Sequence, residues 1–243
     1  MKDEKMMKKP FVSVIVPAYN EEKYIGNCLK SLKNQGYNGK YEIIVVDNAS
    51  RDKTSKIAKK FADKVVLCKK RGPALARNAG AKFAQGEILI FLDADSIASF
   101  NLITELVKAY KRKDVVGASC YILPLSPKIG DIILYSFFNQ FIKASIFAKR
   151  PQIAGTCCSY RKKIFEKVHG FNENLKVYED YDIIGRISKF GKIKFADSTF
   201  VLNSVRRLKK WGRGKIAMRY IKWYLTYLLT GKTVGANEYK PIR

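Results

Sequence analysis

The chain has 243 residues, of which 47% are apolar and 28% are charged. This composition excludes an intrinsically disordered or collagen-like chain and is typical of a globular protein with a packed core. Lysine and arginine outnumber aspartate and glutamate by 47 to 21, which gives a formal net charge of +26. Such a charge predicts a polyanionic partner, which could be nucleic acid, an anionic membrane face or a phosphorylated small molecule.

The spacing of the cysteines indicates the redox state of the thiols and whether they could bind zinc. The cysteines are Cys28, Cys68, Cys120, Cys157 and Cys158. They show no CxxC spacing and no histidine partner, which predicts reduced thiols packed as small hydrophobes and argues against zinc.

The sequence shows no segment that would direct the chain into or across a membrane. Residues 1–10 lack the apolar core of a signal peptide. The stretches 129–148 and 216–229 are interrupted by polar residues and fall short of the roughly 20 apolar residues that a membrane span needs. We therefore expect a cytoplasmic protein.

The first half of the chain alternates between strand and helix patterns. Apolar runs predict strands over residues 11–16, 41–46, 64–68 and 87–92. Helical periodicity predicts helices over residues 21–35, 52–61 and 74–84. This alternation predicts a mainly parallel sheet that is buried on both faces. Because ligands bind such sheets beyond the carboxyl ends of the strands, the polar segments 18–21, 47–50 and 93–96 are candidate site segments.

The pattern is less regular after residue 100. Helices are predicted over residues 101–111, 129–148, 162–169 and 179–190. Strands are predicted over residues 115–123, 192–196 and 199–203. The last forty or so residues become rich in arginine, lysine and aromatic side chains, which indicates a helical appendage rather than a second domain.

Two aspartates, Asp93 and Asp95, follow the apolar run that ends at Leu92. On an extended chain both side chains point the same way, and such hard oxygen ligands suit Mg²⁺ or Mn²⁺ shared with a diphosphate. The alternative is a turn or a helix N-cap, where aspartate is also favoured. Asp47, after the second predicted strand, presents a similar choice between binding a nucleobase N–H and capping the next helix.

Two further segments carry charge beside predicted helix starts. Segment 71–80 offers flexible backbone and guanidinium groups, including that of Arg77, which suit phosphate oxygens, although ordinary surface arginines would give the same pattern. Glu179, Asp180 and Asp182 stand where acids complement a helix dipole. Alternatively, one of these carboxylates is a general base that must reach a hydroxyl proton of an acceptor.

Five segments of the chain stand in a characteristic order. They are VSVIVPAYNEEKYIGNCLKSL, YEIIVVDNASRDKT, GPALARNAGAKFAQGEILIFLDADS, AGTCCSYRKKIFEKVHGFNENL and YEDYDIIGRISKFGKI. Together they span nearly the whole chain and resemble the family 2 glycosyltransferases of the glycosyltransferase-A fold. The joint order is specific, whereas any one motif would be weak. The resemblance implies an α/β protein with a mostly parallel central sheet flanked by helices, a Rossmann-like N-terminal half and a helical C-terminal extension.

The resemblance also implies a division of the chain and an activity. Residues 1–10 would form a charged tail, residues 11–205 the catalytic domain and residues 206–243 a basic amphipathic helical extension. Within the catalytic domain, the nucleotide-binding half would cover about 11–97 and the acceptor-binding half about 98–205. The implied enzyme is a metal-dependent, inverting hexosyltransferase that uses a nucleoside-diphosphate sugar.

The resemblance places the nucleotide sugar at the strand ends of the N-terminal half. The implied contacts are Pro17, Ala18, Tyr19, Glu21, Asp47, Arg77, Asp93, Ala94 and Asp95. Asp47 would bind the polar edge of the base, and Arg77 would lie near the base or the phosphates. Asp95 would ligate Mg²⁺ or Mn²⁺ and Asp93 would contact the ribose or metal-bound water. The cation would neutralise the charge that grows on the departing diphosphate.

In the pair Glu179 and Asp180, Asp180 matches the catalytic base of the family. The resemblance implies that it deprotonates the acceptor, which then attacks the anomeric carbon from the face opposite the leaving group, so that the configuration inverts. With a phosphate anion as acceptor, Asp180 would mainly orient it.

In the segment that begins at Arg206, the residues Arg207, Lys210 and Trp211 loosely resemble the QxxRW signature of processive polysaccharide synthases. Because those enzymes also carry membrane spans, we expect transfer of a single sugar instead. The two arginines are candidates to close over the diphosphate from a mobile segment, and solvation on the surface is the alternative.

The helical segments 129–148 and 215–232 combine aromatic and aliphatic residues with flanking lysine and arginine, as do helices that lie in the lipid headgroup plane. The alternative is that both helices cover the catalytic domain and bury these aromatic and aliphatic side chains in its core. Peripheral attachment to the anionic inner face of the cell membrane would suit a lipid-linked acceptor, a polyprenyl phosphate or a lipid-carried glycan. In the donor, UDP is expected ahead of GDP.

Two other functions compete with sugar transfer, namely nucleic-acid binding and nucleotidyl transfer. The basic residues are spread along the chain, and no RNA-binding signature accompanies them, so no nucleic-acid partner is expected. A nucleotidyltransferase would usually carry a glycine-rich basic loop after its first strand, where this chain has Pro17-Ala18-Tyr19-Asn20-Glu21.

Overall fold

The structure is a computed structural model that describes residues 9–175 and 177–230. The strands are β1 (Val12–Ala18), β2 (Tyr41–Asp47), β3 (Lys64–Leu67), β4 (Ile88–Leu92), β5 (Ser96–Ala98), β6 (Val115–Pro124), β7 (Cys157–Arg161) and β8 (Lys192–Asn203). The helices are α1 (Ile25–Lys33), α2 (Thr54–Ala58), α3 (Pro73–Phe83), α4 (Leu102–Ala109), α5 (Ile129–Phe147), α6 (Lys162–Lys167), α7 (Glu179–Ile187), α8 (Arg206–Trp211) and α9 (Arg213–Thr230).

The described strands form one sheet in the order β3-β2-β1-β4-β7-β6-β8-β5. The strands β1 to β4 run parallel to one another, as the strand and helix alternation predicts. β7 runs antiparallel between β4 and β6, and β5 runs antiparallel to β8, whereas β6 and β8 are parallel. The sheet is therefore fully parallel in the N-terminal half and mixed beyond it, and helices flank it.

The central strands form the core of the fold. Every side chain of β4 is buried, as are most of those of β1, which explains their continuous apolar sequences. α3 packs close to this sheet at Gly80, where a Cβ would lie 2.5 Å from Cγ2 of Ile15. Phe91 on β4 packs against aromatic rings that follow or precede α6, including Phe171 at 5.1 Å between ring centroids.

Several predicted boundaries are wrong, each for a local reason. α1 begins at Ile25 rather than at Glu21, because Asn20 adopts a left-handed φ of 53° and the carbonyl of Glu21 closes a turn. The strands predicted over 192–196 and 199–203 are the single strand β8, which continues through a register shift instead of turning. The short strands β5 and β7 were not predicted at all.

α5 packs on β6 through a partly polar face. Asn139 is 1% exposed, and its side-chain oxygen accepts the N–H of Ile122 at 3.0 Å while its amide donates to the carbonyl of Ile122 at 2.8 Å. These bonds lie beyond Ser119, the last residue of β6 that pairs with β7. Ile142 is also buried, but Phe137 is 74% exposed. The alternative in which this helix buries all its aromatic side chains is therefore wrong.

α8 and α9 make up the described part of the predicted C-terminal extension, of which residues 231–243 lie outside the description. Val205, Leu208 and Ile216 form a small apolar cluster on which Leu134 and Tyr135 of α5 also pack. Over residues 9–175 and 177–230, no helix has both the length and the apolar character required to cross a bilayer. Of the predicted tail over residues 1–10, the structure describes only residues 9 and 10.

Candidate active site

The predicted site segments lie together at one rim of the sheet, because β1, β2 and β4 are parallel neighbours. The N–H of Asn48, after β2, donates to the carbonyl of Ala18 at the end of β1 with a distance of 2.8 Å. After β4, the N–H of Asp93 donates to the carbonyl of Thr156 at 3.0 Å. These bonds fix the turn that carries Asp93, Ala94 and Asp95 beside the end of β1.

The predicted base-binding residues flank the same rim. Pro17 and Ala18 end β1, and the ring of Tyr19 lies 4.6 Å from the guanidinium of Arg71. Asp47 is buried, and its Oδ1 accepts the N–H of Ser50 at 2.9 Å. The turn-capping geometry named as its alternative is thus present, and contact of Asp47 with a nucleobase stays a prediction.

Each aspartate of the Asp93-Ala94-Asp95 turn contacts an arginine from a distant part of the chain. Nη2 of Arg77 lies 3.0 Å from Oδ1 of Asp93, and Nη2 of Arg206 lies 2.9 Å from Oδ2 of Asp95. Burial raises the pKa of Asp95 to about 6, although the positive charge of Arg206 opposes this shift. The side chain of Asp93 is 34% exposed, so the rim is open to solvent at this residue.

Arg206 approaches the rim from the start of α8. It donates to both carboxylate oxygens of Glu21, at 2.6 and 2.7 Å, in addition to its contact with Asp95. The guanidinium carbon also lies 4.9 Å from the ring centroid of Tyr24. Because both oxygens of Glu21 accept hydrogen bonds from the guanidinium, the side chain of Arg206 is fixed at the predicted cation position.

The other two residues of the C-terminal segment lie differently. Arg207 is near enough to Asp95 for its positive charge to lower the pKa of that carboxyl. Trp211 packs against the apolar cluster of Val205, Leu208 and Ile216, with the guanidinium of Arg219 4.6 Å from its ring centroid. The structure thus brings the two arginines, rather than the tryptophan, to the rim.

Arg77 lies buried beneath the rim, where it links three parts of the chain. Nη1 donates to Oε1 of Glu179 at 2.6 Å, and Nη2 donates to Oδ1 of Asp93 at 3.0 Å and to the carbonyl of Gly155 at 3.2 Å. Burial alone lowers the pKa of Arg77, but the charges of Asp93 and Glu179 outweigh it and raise the pKa. The guanidinium therefore stays charged and supports Asp93 from below.

Asp180 lies in the first turn of α7, next to this buried network. Its Oδ2 accepts the N–H of Gly155 at 2.7 Å, and its Oδ1 accepts the N–H of Tyr181 at 2.9 Å. Burial and the neighbouring charge of Glu179 raise the pKa of Asp180 to about 7. A carboxyl with this pKa exchanges its proton near neutral pH, as a general base requires.

Gly155 is a site residue that no sequence pattern singles out, although it belongs to the segment AGTCCSY that carries the family resemblance. A Cβ at this position would lie 3.1 Å from Nη2 of Arg77 and 3.2 Å from Oδ2 of Asp180. A side chain here would therefore press on both groups. Glu179, by contrast, is engaged by Arg77 at 2.6 Å and serves to position the start of α7.

The rim residues fit a hard divalent cation. Among the described residues, no group of three or more histidine, cysteine, aspartate or glutamate side chains is arranged to hold a metal. Asp93 and Asp95 supply carboxylate oxygens, which Mg²⁺ and Mn²⁺ prefer, and a donor diphosphate and water would have to complete the ligand set. Asp95 already stabilises a positive charge, that of the Arg206 guanidinium.

Comparison with known sequences identifies relatives along most of the chain. The family model described as Glycosyl transferase family 2 matches residues 13–169. One relative, from Methanococcus voltae, is 30% identical over 203 residues, which are 79% of this chain and 58% of that protein. Its name is dolichyl N-acetyl-alpha-D-glucosaminyl phosphate 3-beta-D-2,3-diacetamido-2,3-dideoxy-beta-D-glucuronosyltransferase. The chain spans less than two thirds of the length of the curated relatives it matches.

Solved structures share the fold. The mannosyltransferase PcManGT from Pyrobaculum calidifontis, in complex with GDP-Man and Mn²⁺, matches with a TM-score of 0.74 and 23% identity over 94% of this chain and 67% of that chain. Residues 1–349 of TarS from Staphylococcus aureus, in complex with UDP-GlcNAc, match with a TM-score of 0.63 and 23% identity over 79% of this chain and 58% of that chain. The fold is therefore that of the glycosyltransferase-A enzymes.

The family match covers more than half of the chain and includes the rim from β1 to the Asp93-Ala94-Asp95 turn. It does not favour the nucleic-acid-binding or nucleotidyltransferase alternatives. The chain belongs to family 2 of the glycosyltransferases.

Proposed function

We propose that the protein transfers one sugar from a nucleoside-diphosphate sugar to an acceptor and inverts the anomeric carbon. The observation that carries this proposal is the environment of Asp180. Its carboxyl is partly buried, its pKa is raised to about 7, and Gly155 and Arg77 connect it to Asp93 at the rim. Few carboxyl groups in a protein are matched in this way to proton transfer at neutral pH.

The chemical step uses Asp180 as the base. As the acceptor oxygen forms its bond to the anomeric carbon, its proton passes to the carboxylate of Asp180. The bond between that carbon and the diphosphate oxygen breaks, and its electron pair leaves with the nucleoside diphosphate. Because acceptor and leaving group occupy opposite faces of the sugar, the configuration inverts. The buried ion pair of Arg77 and Glu179 keeps Asp180 in place.

Residues at the rim hold the donor in this proposal. Asp47 and Tyr19 border the base, and Asp93 and Asp95 would hold Mg²⁺ or Mn²⁺. When bound, this cation neutralises negative charge that grows on the departing diphosphate. The solved neighbours PcManGT, with GDP-Man and Mn²⁺, and TarS, with UDP-GlcNAc, support a nucleotide sugar and a divalent metal. We expect UDP ahead of GDP, and the experiment below tests both.

The acceptor in this proposal is carried on a lipid, as a polyprenyl phosphate or a lipid-linked glycan. The name of the Methanococcus voltae relative, which describes a dolichyl phosphate sugar acceptor, supports this class. The net charge of +26 would also attract the protein to the anionic inner face of the cell membrane, where such an acceptor lies.

Thermal shift with UDP or GDP, with and without Mn²⁺, tests donor binding. We expect a metal-dependent rise in the unfolding temperature of the wild type that is lost in Asp95→Asn. Asp114→Asn is the matched control, since Asp114 lies outside the site and pairs with Arg112. Equal nucleotide stabilisation of wild type and Asp95→Asn would contradict the assigned metal ligand.

A second variant tests the proposed base. In Asp180→Asn we expect intact nucleotide binding with sugar transfer reduced about a hundredfold or more.

A further inference from the structure

α5 turns an apolar face towards solvent. Four exposed apolar side chains, at positions 129, 133, 137 and 141, recur every four residues and so lie along one side of the helix, and Ile132 and Phe147 are exposed as well. We call them the α5 apolar face: Ile129, Ile132, Ile133, Phe137, Phe141 and Phe147. Phe137 is 74% exposed and Phe147 is 90% exposed. A row of large exposed apolar side chains of this length is unusual on a soluble domain and marks a site of interaction.

Polar contacts on the inner side of α5 fix this orientation. Asn139 bonds both backbone groups of Ile122. Asp131 accepts the hydroxyl of Ser126 and the Nε of Arg213, each at 2.6 Å, and on a more exposed side of the helix Lys143 lies 2.6 Å from Asp197. Rotation of the helix to bury the phenylalanines would break these bonds and leave polar groups unpaired. The outward position of the α5 apolar face is therefore built into the packing.

Positive charge surrounds this face. Lys128 stands at its start, and Lys149 and Arg150 follow its end, all exposed. Asp131 is the single acidic residue between residues 115 and 165 of the sequence, and it is turned inward. The neighbouring helices α8 and α9 belong to a stretch, residues 198–237, whose sequence contains no aspartate or glutamate. Within the described part of this stretch, the exposed basic side chains are Lys209, Lys210, Arg213, Lys215, Arg219 and Lys222.

We propose that the α5 apolar face docks on an anionic lipid bilayer, with its phenylalanine and isoleucine side chains below the headgroups. The α5 apolar face is flanked by lysine and arginine, and Asp197, an exposed acid beside the helix, is paired with Lys143, so the face complements a surface that is negative outside and apolar beneath. Nucleic acid would leave the apolar stripe in water. A protein partner would not by itself explain why residues 198–237 contain no aspartate or glutamate.

The docking surface is connected to the active rim, and its purpose rests on the proposed transfer to a lipid-borne acceptor. The hydroxyl of Tyr135 on α5 donates to Oδ1 of Asn203 at 3.0 Å. Asn203 in turn donates to the hydroxyl of Ser96, the residue after Asp95, also at 3.0 Å. Docking through α5 would therefore place the bilayer on the outer side of the helix whose inner side is bonded to the predicted cation site.

Co-sedimentation with vesicles tests the surface. The full chain is mixed with phosphatidylcholine vesicles with or without phosphatidylglycerol, at low and high salt. We expect binding to the anionic vesicles at low salt, and a partition coefficient about tenfold or more lower for the double variant Ile133→Ser with Phe137→Ser. Leu67→Ser is the matched control, because Leu67 is 62% exposed but lies on β3 at the far edge of the sheet. Lys149→Glu with Arg150→Glu tests the charge and should weaken binding only to anionic vesicles.

Three results would contradict the proposal that the α5 apolar face docks on an anionic bilayer. One is a wild type that stays in the supernatant with anionic vesicles at low salt. The second is equal partition of the wild type and the apolar double variant. The third is a dimer, measured by light scattering, that the double variant dissociates, because a second copy would then cover the face. Donor hydrolysis in vesicle-free buffer separates the proposals: its absence in the wild type counts against the proposed function, whereas normal hydrolysis without vesicle binding counts against docking alone.

Discussion

Arg77 and Glu179 form a buried ion pair, with 2.6 Å between Nη1 and Oε1, that joins α3 to the first turn of α7. Glu179 precedes Asp180, and Arg77 also contacts Asp93. One guanidinium thus sets the distance between the donor rim and the proposed base. Because this ion pair is buried away from water, its removal should lower stability as well as affect catalysis.

Replacement of Arg77 is expected to destabilise the protein. In Arg77→Met, the carboxylates of Glu179 and Asp93 lose their buried partner, so we expect the free energy of unfolding to fall by about 3–5 kcal/mol. Adding Glu179→Gln should recover part of this loss, since the buried charge is then removed. Urea denaturation measures both variants. Arg112→Met, at an exposed pair with Asp114, should leave unfolding unchanged, and an equal loss in both single variants would contradict the expectation.

The pH dependence of sugar transfer should report Asp180. Because burial and the charge of Glu179 raise its pKa to about 7, the base is protonated and inactive in acid. We expect kcat/KM to rise about tenfold per pH unit below this value and to level off above it. The profile is measured with saturating metal and a fixed donor. In Asp180→Asn the rise should disappear from the residual activity, and a wild-type rate independent of pH between 5 and 8 would exclude Asp180 as the base.

The same carboxyl should make stability depend on pH. Its pKa is raised on folding from an ordinary 3.8 to about 7, so the folded state favours the proton. The resulting stabilisation is complete below about pH 4 and is lost as the pH rises through about 7. Asp180→Asn cannot ionise, so its stability relative to the wild type should improve by a few kcal/mol between pH 4 and pH 8. Urea denaturation at several pH values checks this, and a constant difference would show that the carboxyl stays ionised.

Arg206 should compete with a metal for Asp95. Its guanidinium lies 2.9 Å from Oδ2 of Asp95, so a cation has to share this oxygen or displace the arginine. In Arg206→Gln we expect Mn²⁺ to bind about tenfold more tightly in the absence of donor, as one unfavourable charge is removed. Titration calorimetry measures this affinity. Arg213→Gln, which loses a contact with Asp131 instead, is the control. Unchanged Mn²⁺ affinity in Arg206→Gln would place the metal away from Asp95.

The rim could be predicted from the sequence because long apolar runs define parallel strands, and parallel strands present their carboxyl ends together. Ala18, Asp47 and Asp93 are therefore found where the alternation of elements puts them. The partners of Arg77 could not be predicted, because sequence spacing carries no information about a contact with Glu179 on another element. The sequence pattern placed Arg77 near phosphates, whereas the structure buries it under Asp93.

The misjudged elements share a feature, namely polar side chains in buried positions. β7 contains Ser159, whose hydroxyl is buried and bonded to that of Tyr110 at 2.8 Å, so the strand lacks a continuous apolar pattern. α5 begins where predicted and ends one residue earlier, but Asp131 and Asn139 face inward and the helical periodicity alone does not reveal which side packs. In both elements, the partner that satisfies the polar group lies on another strand or helix.

Asn139 has a further consequence for the behaviour of the chain at high concentration. Beyond Ser119, β6 has lost β7 as its neighbour, and an open strand edge there would be a template for pairing with another molecule. By bonding both backbone groups of Ile122, the asparagine amide acts as a substitute strand and closes that edge. A single side chain thereby protects the sheet against aggregation at the point where its own strands leave a gap.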